Sequence, residues 1–191
     1  GDVYKRQSMK RSANLLILGL FLSLSSYVNA EELVIGKGNL NKDINVIFEA
    51  APKDTLYNNS RKVLSEKETD IHIEALVNWN NNIEISGQLP DAFIPYLIIL
   101  SEITNENTDE KSTIELTPHI NLSDGFHYAQ NIKLPGLRSD TYKVKFTVSI
   151  DEKKLTYHHD WKKLYSYPLF DEQVFSYVNL DFKKMSQAVR R

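Results

Sequence analysis

Apolar and polar residues alternate at a period of two over many short runs of this sequence, the spacing of half-buried β-strands. The cleanest run spans 142–150, where Tyr142, Val144, Phe146, Val148 and Ile150 share one face and Lys143, Lys145, Thr147 and Ser149 the other. Residues 44–51 repeat the pattern through Ile44, Val46, Phe48 and Ala50, and residues 71–79 through Ile71, Ile73, Ala75, Val77 and Trp79. The run 93–100 is apolar on both faces, which predicts a buried central strand with Pro95 near its start, where a missing N–H does least damage. Shorter runs at 33–37 (an edge strand), 113–116 (ended by Pro118), 127–134 and 173–180 complete the set. Turn residues at 78–82, 87–90, 105–111, 123–125 and 135–136 separate these runs, while 52–67 and 151–172 read as surface loops. No helical period competes with the strands beyond the amino-terminal segment. Seven to eight short strands with frequent turns predict an all-β protein built as a β-sandwich.

The amino-terminal segment is of another kind. Met9, Lys10 and Arg11 form a basic start, residues 15–24 are almost wholly apolar, and Val28, Asn29 and Ala30 supply a small-residue cleavage pattern. This predicts a secretory signal peptide over 9–30, too short for a membrane span with such flanks, and a mature chain from Glu31. Residues 1–8 resemble a translated sequencing adaptor and are set aside. Residues 31–191 suit a single domain. They keep 19 Lys and Arg against 24 Asp and Glu, a net charge of −5. Such a chain offers no basic face for nucleic acid and no reason to insert into a membrane. The sequence has no cysteine, so the fold must hold in an oxidising compartment by packing alone.

Candidate chemistry centres on Asp70-Ile71-His72-Ile73-Glu74. Side chains two apart on a strand leave the same face with Cα atoms about 6–7 Å apart. His72 and Glu74 therefore offer an imidazole nitrogen and a carboxylate to one metal ion at bonds of about 2 Å. The same spacing also describes a sheet with one wet face on which both are merely solvated, and the five residues leave both readings open. Other chemistries lack parts. There is no Gly-rich phosphate loop, no Gly-x-Ser-x-Gly elbow and no thiol, so an enzyme is not expected.

Several segments, taken in order, resemble the periplasmic iron-transport proteins, small secreted immunoglobulin-like sandwiches found beside high-affinity iron permeases. Thr69 to Ala75 resembles that family's ADIHLEA, Phe93 to Leu97 its WIPYL, and Leu122 to Lys133 its ASDGPHYGANIK. Ile35-Gly36-Lys37, Tyr142-Lys143-Val144 and Phe170-Asp171 fall at the expected places, so the likeness runs along the whole mature chain.

The resemblance implies a periplasmic homodimer that binds a divalent ion, iron or copper, and supplies iron to an inner-membrane iron permease. It implies ligands at His72, Glu74 and His127, with a methionine after the Pro of an MPM stretch. Here the local sequence is Thr117-Pro118-His119-Ile120, one residue longer before the Ser-Asp-Gly turn. His119 takes the methionine's place if the prolines align, Ile120 if the turns do. A His-rich loop of the family is shortened to His158-His159, of which His159 completes the expected metal set. Imidazole and carboxylate together suit Fe(II), Cu(II), Mn(II) or Zn(II). Blander readings stand beside these. His127 can be a strand-start residue bonded to its turn, His119 can be solvent-exposed, and His158-His159 can be a solvated pair. The whole chain can also be a secreted immunoglobulin-like adhesion or chaperone module whose histidines are incidental.

Overall fold

The computed structural model describes residues 32–58 and 63–188, so the expected signal peptide and the adaptor-like start lie outside the described residues. Eight strands run in chain order: β1 (Leu33–Asn41), β2 (Ile44–Ala51), β3 (Ile71–Trp79), β4 (Leu97–Asn105), β5 (Lys111–Asn121), β6 (Gly125–Ile132), β7 (Thr141–Ile150) and β8 (Gln173–Asp181). All pairings are antiparallel, in the order β1-β2-β3-β6-β5-β4-β7-β8.

β5 is where the sheet turns. Its first half pairs with β4, through Ile114↔Ser101 and Leu116↔Ile99, and its second half with β6, through Thr117↔Ala129 and His119↔His127. Pro118 sits just past this change of partner, inside the strand rather than at its end, where a missing N–H costs least ladder. The two halves of the sheet fold face to face over an apolar core. Phe48 of β2 and Phe146 of β7 stack at 3.9 Å across it. The edge strands β1 and β8 come together as well. Gly36 and Gly38 lie directly beneath the rings of Tyr177 and Phe175, leaving no room for a Cβ. The result is a nearly closed, barrel-like sheet.

Alternation placed β2 and β7 correctly and gave the first face of β3, whose Ile71, Ile73, Ala75 and Val77 are fully buried. Other expectations are corrected. The strand predicted over 93–100 begins only at Leu97, because Tyr96 takes a left-handed backbone (φ 62°). Its two faces differ too, since Leu100 is exposed. The Tyr128 hydroxyl repairs the break, donating to Ile94 O (2.9 Å) and accepting from Leu97 N (3.1 Å). Residues 151–172 are not all loop. Trp161 of helix α1 (His159–Leu164) and Tyr165 just past it pack on Trp79 in tilted and edge-on contacts, and a second helix, α2 (Lys183–Gln187), follows β8. At five and six residues, both are too short to show a helical period.

Candidate metal centre

β3 is buried on both faces. His72 is 2 % exposed and Glu74 fully buried, so the solvated-face reading of this pair does not hold. Asp70, at the entry to β3, anchors this end of the sheet. Its carboxylate accepts from Leu134 N (2.9 Å) and from Arg138 Nε (2.6 Å).

Register assembles the rest of the site. On the same face as His72 and Glu74, the neighbouring β6 presents His127, Ala129 and Asn131, with Ala129 opposite Glu74 and Asn131 opposite His72. β5 then sets His119 directly opposite His127. Every second residue shares a face, so Ile120 points to the other one and is largely exposed. His119, not Ile120, thus lies on the face of His72 and His127. The ring of His119 lies 5.4 Å from that of His72 and 6.0 Å from that of His127. One ring nitrogen from each of the three falls within 4.8 Å of the others. Donors to a single ion at bonds of about 2 Å stand about 3–4 Å apart, so small side-chain adjustments close this triangle.

The turn between β5 and β6 is held by its own side chains. Asn121 accepts from Asp124 N (2.6 Å) and donates to Asp124 Oδ2 (2.6 Å), while Gly125 takes a left-handed φ of 67°. The carbonyl of Gly125 lies 3.1 Å from His127 Nδ1. A carbonyl only accepts, so Nδ1 carries the proton and Nε2 keeps its lone pair. The turn-bonded reading of His127 is thus compatible with ligation; the bond leaves Nε2 as the nitrogen a metal would meet.

The cover over the site comes from the segment between β2 and β3. Asp54, Thr55, Leu56, Tyr57, Asn58 and Val63 close one side of a cavity of about 330 Å³, whose other walls include His72, His119 and His127. This loop lies at the surface, as expected, with Thr55, Tyr57 and Asn58 exposed, and walls the cavity on one side. Burial first, and the neighbouring His127 second, push the His119 imidazole down to about 4. His119 is therefore neutral, with a lone pair to give, through the whole physiological range.

Carboxylates border the imidazoles. Glu74 Oε1 lies 3.5 Å from His72 Nε2. Glu49, the cross-strand partner of Glu74, and Glu32 bring their carboxyl oxygens within 4.8 Å of it and of each other. Burial, then the charge of Glu32, raises the Glu49 carboxyl above the usual range. Neither Glu49 nor Glu32 was singled out in the sequence, because only strand pairing, of β2 with β3 for Glu49 and of β1 with β2 for Glu32, brings them to Glu74. His159, by contrast, is exposed at the start of α1 and does not join this group; His158 lines a separate cavity beside Trp79 and Trp161.

The chain is similar to known proteins in sequence and in fold. The sequence model of the Fe2+ transport protein family matches residues 29–184. A search among curated proteins found no match. Among solved structures, a copper-bound variant of Campylobacter jejuni P19 superposes with a TM-score of 0.66 at 24 % identity, over 78 % of this chain and 95 % of that one. A copper-bound variant of FetP from uropathogenic Escherichia coli strain F11 gives 0.64 at 22 % identity, over 78 % and 95 %.

Proposed function

The chain belongs to the Fe2+ transport protein family, and from that premise we propose that it is a periplasmic carrier of divalent metal that binds its cargo at His72, His119 and His127, with Glu74 beside them. The single observation that carries this reading is the convergence of three histidines from β3, β5 and β6 in one covered cavity. Two turn Nδ1 to an acceptor, Asn131 Oδ1 or Gly125 O, and burial holds the third neutral, so the donor set suits a borderline ion. Iron, as Fe(II), is the proposed cargo and copper the competing one, in line with the copper held by the P19 and FetP variants. The protein binds and releases; it does not catalyse.

Other parts of the reading rest on the family resemblance. The signal peptide over 9–30 delivers the chain to the periplasm, and among the described residues no helix is long and apolar enough to cross a membrane. There the carrier hands iron to an inner-membrane permease. It does so as a homodimer, for which the exposed Ile120, Leu122 and Phe126 at the β5–β6 hairpin tip supply an apolar surface. The two halves of the sheet are read as the layers of an immunoglobulin-like sandwich. The Tyr142 hydroxyl bonded to Leu137 O (2.7 Å), five residues upstream, resembles the tyrosine corner of such folds.

The test is a titration of the metal-free mature protein with Cu(II), and anaerobically with Fe(II), followed by elemental analysis. One tightly held ion per chain is expected. A folded protein that retains no metal would favour the adhesion or chaperone reading instead.

A further inference from the structure

We infer that Asn131 is the positioning residue of the site, fixing which nitrogen His72 turns to the ion and tying the covering loop to that choice. The inference rests on the metal-binding reading above and extends it to a residue outside the ligand set. Asn131 is buried in β6 directly opposite His72. Its amide nitrogen donates to two backbone carbonyls of the covering segment, Asp54 O (2.8 Å) and Leu64 O (3.0 Å). Carbonyls accept only, so these two bonds decide the orientation of the amide and leave its oxygen facing His72 Nδ1 at 2.8 Å. An amide oxygen accepts only as well. Nδ1 of His72 must therefore carry a proton, which leaves Nε2, 3.5 Å from Glu74 Oε1, as the ring nitrogen a metal would take. One side chain thus reads the position of the loop with its nitrogen and sets the imidazole tautomer with its oxygen. Partners of this kind orient a ligating histidine and raise its basicity, and their removal costs about 10–100-fold in metal affinity.

Substitutions separate the two jobs. Asn131→Asp keeps an acceptor for His72 but sets a carboxylate against two carbonyls, so the loop is released while the tautomer stays. Asn131→Ala removes both. The experiment records long-range 1H–15N NMR correlations of the His72 ring in metal-free protein, amide exchange at residues 54–58 and 63–64, and Cu(II) affinity. Expected in the wild type is a protonated Nδ1 on His72. In Asn131→Ala the tautomers mix, the loop exchanges faster and Cu(II) affinity falls about 10–100-fold. In Asn131→Asp the loop exchanges faster, yet the tautomer and most of the affinity return. A wild-type His72 protonated at Nε2 overturns the inference, whether or not the alanine variant folds. So does an alanine variant with wild-type tautomer and affinity. Failure of the wild type to bind Cu(II) overturns the metal reading and the positioning role with it, whereas a wrong tautomer beside intact binding overturns the positioning role alone.

Discussion

The two faces of β3 are both buried, and they are buried for different ends. On one, Ile71, Ile73, Ala75 and Val77 meet the apolar core, where contact with Phe48 and its neighbours gains from every ångström removed from water. On the other, His72 and Glu74 are equally inaccessible, yet each polar group there must find a partner or be costly to bury. Burial on the first face holds the fold together. On the second it raises the electrostatic stakes, keeping His119 neutral and the carboxyl of Glu49 above its usual range. A strand that spends one face on stability and the other on candidate donors separates the two by a single residue of register.

That separation is open to direct attack. Phe48→Ala, on the core face, removes a fully buried ring stacked on Phe146 and should cost about 3–5 kcal/mol in urea unfolding, with metal affinity following only through loss of fold. His127→Ala, on the site face, should do the reverse. Cu(II) affinity is expected to fall by more than about a hundredfold, beyond what loss of a supporting partner costs, with the unfolding midpoint of the metal-free protein nearly unchanged. A His127→Ala variant that unfolds instead would merge the two faces again.

Softer changes sharpen the contrast. A thioether favours Cu(I), so His119→Met should shift preference toward Cu(I) in competition with Cu(II). The His119 imidazole titrates at about 4 in the fold and at 6.5 when unfolded, so between these values the unfolded chain binds more protons. Stability of the metal-free protein therefore falls as pH drops from 6.5 towards 4, and His119→Asn should flatten that part of a urea-midpoint profile. The smallest effect is reserved for His159→Ala, which lies in neither face. Cu(II) affinity measured by the same titration should stay as in the wild type.

Much of this was legible in the sequence, and the gaps have physical causes. Alternation found β2 to the residue and β7 to within one, because each buries one face against the core. It could not find the left-handed Tyr96, nor a proline carried inside β5 by a change of pairing partner, because both depend on what lies across the sheet. The identity of His72 and Glu74 as a pair was readable from spacing. Their burial was not, since His72 lies under a polar, aperiodic segment and Glu74 among Glu32 and Glu49. His119 and Ile120 were equivalent candidates until the β5–β6 ladder put His119 opposite His127. Glu49 and Asn131 belong to runs that a strand pattern explains fully, and only cross-strand pairing with Glu74 and His72 gives them a role.

The central claim is that His72, His119 and His127 hold one ion together, and electron paramagnetic resonance of Cu(II)-loaded protein tests it most directly. The account predicts a single copper signal at one ion per chain whose nitrogen coupling reports three imidazoles, reduced to two in His119→Ala and in His127→Ala alike. A stoichiometric copper signal identical in the wild type and both variants would contradict it.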